Sequence, residues 1–296
     1  MSDWPALPLD AWWDTRETLH RWTQIIGKIR MESTPLINHW WNVTLYVTAR
    51  GLTTSKIPQG DRWFDIEFDF IAHVLRVRVS DGKEGTIKLA SRSVADFYRE
   101  VFAVLPSVGI RCEIWPMPVE VEDKDRLDQD ESRHTYDPEY AQRFWRVLAL
   151  TDAVFTKFRA AFIGKCSPVH FFWGSFDLAV TRFSGRRAPA RPEADAMTRE
   201  AYSHEVSSVG FWPGDRRLAK PTFYSYGAPE PAGFRTAPVR PAATYYNEAF
   251  GGFYLDYDVI RTASDPEGTL LDFCQTTYEA AANNGTWDRG ALERRS

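Results

Sequence analysis

Cysteine is scarce in this sequence, which limits how the fold can be held together. The 296 residues include only Cys112, Cys166 and Cys274. An odd number of widely separated cysteines forms neither a disulfide framework nor the paired CxxC motif of a zinc site. We therefore expect a protein of a reducing compartment, the cytoplasm.

Long apolar runs and an excess of positive charge are also missing. No run approaches the roughly 18 apolar residues that identify a membrane-spanning helix. The first residues, Met-Ser-Asp-Trp-Pro, lack the basic and apolar regions of a signal peptide. The formal net charge is −4, whereas a nucleic-acid-binding protein usually presents a basic face. We expect neither a membrane nor a nucleic acid as partner.

Aromatic residues are abundant, with 12 Trp, 12 Tyr and 19 Phe. Rings of this kind bury large areas and, in Trp and Tyr, carry a polar group. They are typical of an aromatic-rich core. They also suit a ligand cleft.

Two segments of the chain resemble each other. Residues 39–58 and 170–189 each open with His and two aromatic residues, alternate between apolar and polar, and end with a cation and Pro. This similarity predicts two copies of one unit, with a seam between them. Because any strand alternates, chance resemblance is the alternative.

Hydrophobic periodicity predicts helices and antiparallel strands in both halves. Apolar residues recur at helical spacing over about 14–31 and again from Pro266, and residues 39–50, 63–70 and 75–79 alternate. Carboxylates at 65, 67 and 69 should pair with arginines on the next strand. The predicted fold class is α+β, with two tandem helix–antiparallel meander–helix pseudo-repeats. The predicted domains are residues 1–122 and 136–296, joined by an acidic linker at 123–135.

Six longer strings show a resemblance to a known family. They are WPALP (4–8), NHWW (38–41), YVTARGLTT (46–54), WPMPVE (115–120), GKCSPVHFFWGSFD (164–177) and YSHEVSSVGFWPG (202–214). Across nearly the whole chain the sequence resembles a bacterial domain-of-unknown-function family of about this size. The resemblance implies a dedicated full-length protein, and it carries over no catalytic residues.

The polar face of the repeated segment is the first candidate site. On a continuous strand, Trp173, Ser175 and Asp177 share one face, and Asn42 and Tyr46 occupy the matching face of the other copy. Rings, a hydroxyl and a carboxyl suit a half-dry pocket with few polar anchors. A packed interface between the copies would use the same residues.

His204 and Glu205 form the second candidate, as a titratable pair or, with His170, as metal ligands. Because no HxH or HExxH spacing is present, we expect structural histidines, no metal and no cofactor. Cys166, four residues before His170, is expected to be structural.

The leading functional hypothesis is binding of a small organic molecule in an aromatic-lined cleft at the seam, capped by residues 202–215. The alternatives are an enzyme, acid/base or metal-assisted through His170, His204, Glu205 and Asp177, and a partner-binding scaffold. The sequence leaves the ligand and the oligomeric state open.

Overall fold

The computed structural model describes residues 4–294, and two antiparallel sheets packed with helices form the fold. The α+β prediction is confirmed. The helices are α1 (Leu9–Ser33), α2 (Val94–Ser107), α3 (Pro138–Ala160), α4 (Ala196–Ala201), α5 (Tyr257–Arg261), α6 (Pro266–Asn284) and α7 (Arg289–Leu292). None of the helices within 4–294 is long and apolar enough to cross a membrane.

The first sheet has strand order β1-β2-β4-β5-β6, with β3 beside β4. Its strands are β1 (Tyr46–Val47), β2 (Gly51–Thr53), β3 (Ile57–Gln59), β4 (Arg62–Asp69), β5 (Val74–Val79) and β6 (Glu84–Lys88). One face of β4 and β5 is fully buried, while the predicted cross-strand ion pairs form on the other. Arg78 contacts Asp65 at 2.7 Å and Glu67 at 2.9 Å.

The second sheet has strand order β11-β12-β10-β9-β8-β7. Its strands are β7 (His170–Phe172), β8 (Asp177–Arg187), β9 (His204–Trp212), β10 (Thr222–Ala228), β11 (Tyr245–Asn247) and β12 (Gly252–Asp256). Helix α3 packs against β8, and α6 packs against β9 and β10. The side chains that alternate with this packed face therefore point away from the helices.

A four-residue turn decides which residues share that outward face. Residues 173–176 link β7 to β8, so Phe172 lies opposite Asp177 and His170 lies opposite Ala179. Opposed residues in an antiparallel pair point to the same side of the sheet. Sequence alternation over 170–181 therefore breaks at the turn, where a single continuous strand was predicted.

The two sheets meet at their edges. Leu45 and Phe171 exchange both backbone hydrogen bonds, each at 2.9 Å. Both side chains are fully buried in the shared core. The contact joins the first part of the chain to the second.

Six strands lie between helices in both halves, with α4 inserted between β8 and β9 in the second, yet the two similar segments fold differently. Residues 39–58 contain a 3-10 turn at Asn38–Trp40 and short strands, whereas residues 170–189 form a hairpin. His39 and Trp40 both have a φ of 60°, which is rare for residues with a side chain. This backbone conformation is not extended, so a strand cannot begin at residue 39 as the alternation predicted. The tandem repeat stays a prediction.

The acidic segment 123–135 packs against the first sheet's helix layer. Leu127 is fully buried, and the carbonyl of Asp130 accepts a hydrogen bond from the Ala95 backbone amide at the start of α2. The side chain of Asp130 bonds Arg133. The segment thus satisfies an N-terminal amide of α2, which would otherwise have no intrahelical partner.

Candidate functional site

A cavity of about 1150 Å³ lies over the outward face of the second sheet. Its floor includes Ala179, Thr181, Ser208, Tyr224, Tyr226 and Tyr254. Helix α1, residues 120–123 and the turn around Trp41 form walls. Lining residues therefore come from both sides of the junction between the sheets.

The position of Tyr224 in the floor depends on a glycine. A Cβ at Gly210 would lie 2.2 Å from Cζ of Tyr224 and 2.3 Å from its hydroxyl oxygen. Glycine on β9 therefore lets the Tyr224 ring lie across the strand. In that position the Tyr224 hydroxyl donates a hydrogen bond to Asp177.

Asp177 is a buried carboxyl at this end of the cavity, with 6% of its surface exposed. It accepts hydrogen bonds from the hydroxyls of Ser175 and Tyr224. Burial raises the pKa of Asp177, and the two hydrogen bonds oppose that rise. Within residues 4–294 its described side-chain partners are hydroxyl donors, and no cationic side chain is among the groups that shift its pKa.

Glu120 is the second carboxyl of the cavity. Its φ of 54° is strained for a residue with a side chain. A Cβ at Gly174 would lie 2.3 Å from Oε1 of Glu120, so this glycine makes room for the carboxyl. Burial, followed by the charges of Asp177 and Asp195, raises the pKa of Glu120 to about 6.

Helix α1 brings buried basic groups to the wall beside Gly174. Arg16 and Arg21 are nearly inaccessible to solvent, and both form ion pairs with Glu17. His20, between them, hydrogen-bonds the Gly174 carbonyl at 2.8 Å. Burial first, then the two arginines, hold the pKa of His20 well below its usual value, so the ring is neutral.

His39 and Lys165 mark the far end of the cavity. The Nδ1 of His39 lies 3.1 Å from the carbonyls of Glu200 and Ala201 and donates to them. That tautomer leaves Nε2 to accept the Lys165 amine at 2.6 Å. His39 and the neighbouring Tyr202 border the cavity, whereas Lys165 stands behind them.

Of the residues predicted for the first candidate site, Ser175 and Asp177 border this cavity. Trp173 instead falls in the turn after β7. Its indole packs on Gly27 of α1 and donates to the Val43 carbonyl at 2.6 Å. Trp173 is therefore a core residue between the two parts of the chain, as the packed-interface alternative predicts.

The partners predicted in the other copy lie away from the cavity. Asn42 is buried, and its side-chain oxygen accepts a bond from the backbone amide of Ile37 at 3.3 Å. Tyr46 lies 5.4 Å beneath the guanidinium of Arg30. Asn42 lies in a turn and Tyr46 in β1, and neither borders the cavity with Asp177.

The histidines and Glu205 predicted for the second candidate do not converge. His170 is completely buried among rings, including Trp41 and Tyr46, and neither ring nitrogen has a hydrogen-bond partner. His204 lies beside His39, with ring centroids 5.7 Å apart. Glu205 pairs with Arg186 at 2.7 Å.

The predicted histidines, Glu205 and Cys166 do not come together as a metal site or a reactive thiol. Among residues 4–294, no group of three or more His, Cys, Asp or Glu side chains could hold a metal ion. Burial raises the pKa of Cys166, which disfavours the thiolate that a nucleophile needs.

The segment 202–215, predicted as a cap, lies in the floor. Most of it is β9, which pairs with β8 on one side and β10 on the other. Tyr224, Tyr226 and Glu120 border the cavity but were not among the predicted site residues. The two tyrosines alternate with Phe223 and Ser225, a period-two signal that was available, whereas nothing local places Glu120 beside Gly174.

Comparison with known proteins assigns a family but no function. A family model described as a family of unknown function, DUF5996, matches residues 4–294. Neither the curated proteins nor the solved structures contain a match.

Proposed function

Since the chain belongs to the DUF5996 family, whose function is unknown, we propose from the site itself that the protein binds a small organic molecule in the cavity over the second sheet. The observation that carries this proposal is Asp177, a buried carboxyl at the base of a large aromatic-lined cavity. Ligand sites combine mostly apolar walls with a few placed polar groups.

The size of the cavity supports the proposal. Small-molecule sites typically occupy about 300–1,000 Å³, and this cavity measures about 1150 Å³. Its polar groups sit at fixed positions because Tyr224 and Ser175 hold Asp177. A face built only for packing between the two halves would not leave this volume, because protein interiors are close-packed.

The setting of the cysteines supports a cytoplasmic site of action as part of the same proposal. Cys112, Cys166 and Cys274 are all free thiols. Thiols persist in reducing compartments.

A neutral fluorescent probe, N-phenyl-1-naphthylamine, tests whether the cavity takes an organic molecule. We expect saturable binding to the wild-type protein and loss of binding in Thr181→Trp, which fills the cavity from its floor. Thr53→Trp is the matched control, since Thr53 is also a half-buried strand threonine but belongs to the first sheet. Equal binding by the two folded variants would disprove the proposed location.

A further inference from the structure

Arginines as well as carboxylates line the cavity, Arg191 and Arg216 among them, but the carboxyls Asp177 and Glu120 differ from the others in their partners. The α1 arginines Arg16 and Arg21 share Glu17. Arg217, on the rim, pairs with Asp215 at 2.7 Å. Asp177, by contrast, has hydroxyl groups as its hydrogen-bond donors, and no cation within residues 4–294 shifts its pKa.

Glu120 is also short of positive charge. Within residues 4–294, Lys124 of its own loop is the cation that lowers its pKa, and that effect is smaller than those of Asp177 and Asp195. Burying a carboxylate without a counter-ion is costly. A ligand that brings a positive charge between the two carboxyls would lower that cost.

Aromatic rings surround the same place. Tyr224 is stacked near Tyr226, with centroids 6.1 Å apart, and tilts against Tyr254 at 6.4 Å. Ring faces attract cations, and a carboxylate with several rings is the arrangement that recognises ammonium groups.

These three rings have no cationic side chain over them in the structure of residues 4–294. Arg217 lies over Trp212 and Phe250, each at 5.7 Å, and Arg191 lies over Tyr202 at 4.6 Å. The neighbouring rings at the rim are thus occupied by arginines of the chain, while the tyrosines beside Asp177 are left for a ligand.

We propose that the ligand is an organic cation whose ammonium group lies between Asp177, Glu120 and the rings of Tyr224, Tyr226 and Tyr254. The inference rests on the proposed function, because it names the chemical class that the same cavity would accept.

Three benzyl compounds of different charge test the inference by displacing N-phenyl-1-naphthylamine: benzyltrimethylammonium, benzyl alcohol and phenylacetate. We expect the cation to bind at least about tenfold tighter than the alcohol, which corresponds to about 1.4 kcal/mol. Phenylacetate should bind most weakly. Equal affinities, or a preference for the anion, would overturn the inference.

Two variants locate the charge effect. Asp177→Asn and Glu120→Gln should each weaken binding of benzyltrimethylammonium several-fold and leave benzyl alcohol within about twofold. Glu205→Gln is the matched control, because that carboxyl is already paired with Arg186 outside the cavity. If Asp177→Asn does not fold, Glu120→Gln still tests the inference. Unchanged cation binding in a folded variant would refute the role of its carboxyl.

The pH dependence of cation affinity below neutral pH gives an independent test. Glu120 loses its proton as pH rises through about 6, so affinity for the cation should increase over that range and level off above it. The charged groups acting on Glu120 are Asp177 of β8, Asp195 before α4 and Lys124. A flat profile from pH 5 to 7.5 would contradict the inference. Failure of the neutral probe to bind would instead reject the proposed function beneath it.

Discussion

Replacing Gly210 by alanine tests how the floor of the cavity is built. The added methyl group would lie 2.2 Å from Cζ of Tyr224, whereas carbon atoms rest about 3.5–4 Å apart. The ring must therefore move by about 1.3 Å or more. Since the cavity lies above the ring, Tyr224 can move into it, but the hydrogen bond to Asp177 is then lost.

Opposing effects set the magnitude. Alanine in a strand is favoured over glycine by about 0.5–1 kcal/mol. Overpacking costs about 1–3 kcal/mol, and we expect the lower end because the ring has space. Loss of a hydrogen bond to a charged group adds about 1.5–3 kcal/mol. The free energy of unfolding should therefore fall by about 2 kcal/mol.

Urea unfolding of four proteins measures this effect: wild type, Gly210→Ala, Tyr224→Ala and the double variant. If the clash with the ring is the cause, Gly210→Ala should cost little or nothing once Tyr224 is alanine. Gly227→Ala is the control, because its Cβ would approach Pro231 only to 3.2 Å. An equal cost of Gly210→Ala with and without the Tyr224 ring would refute the reasoning.

Three further predictions concern the predicted site residues and the junction. Leu45→Asp should lower the free energy of unfolding by about 4 kcal/mol or more, since it places an unpaired charge at a fully buried position; a normal melting midpoint would contradict this. Burial holds the pKa of His170 at about 3, below the usual 6.5, so the unfolded chain binds the extra proton and stability falls by about 1.4 kcal/mol per pH unit below about 6. His170→Leu should therefore lose less stability than wild type between pH 7.5 and 5 in urea titrations, and parallel losses would reject the explanation. Glu205→Gln should change the unfolding free energy by at most about 1 kcal/mol, because its pair with Arg186 is partly exposed and Arg186 keeps its hydrogen bonds to the carbonyls of Gly285 and Thr286; a larger loss by thermal denaturation would assign the pair a structural role.

Local sequence patterns predicted many of the helices and strands, because the interactions that form them join residues close in sequence. Helix α2 begins after Ser93, whose hydroxyl accepts a hydrogen bond from the amide of Asp96 three residues on. The helix from Pro266 begins where the sequence places it. The ion pairs between β4 and β5 follow from cross-strand neighbours. Each of these features depends on residues close in sequence or on a short hairpin.

The site was only partly predictable, because its geometry depends on turns and distant contacts. Alternation placed Ser175 and Asp177 on one side, but the turn after Phe172 removed Trp173 from that face. Glu120 reaches the cavity through the space left at Gly174, more than 50 residues along the chain. The local repeat of a helix or strand cannot reveal a contact between residues so far apart in the sequence. The similarity of the two segments likewise paired Asn42 with Trp173, and the structure places these two residues in separate turns.

The volume of the cavity itself has a local origin in the sequence of the second sheet. Its central cross-strand positions carry small side chains: Ala179 lies opposite Gly210, and Thr181 lies opposite Ser208. Large rings stand around them, with Tyr224 beside Gly210. A face meant to pack against another layer would place large apolar groups at its centre, because interiors tolerate few voids. The Tyr224 ring covers Gly210, while the small side chains of Ala179, Thr181 and Ser208 beside it leave a basin, which is what the proposed ligand site requires.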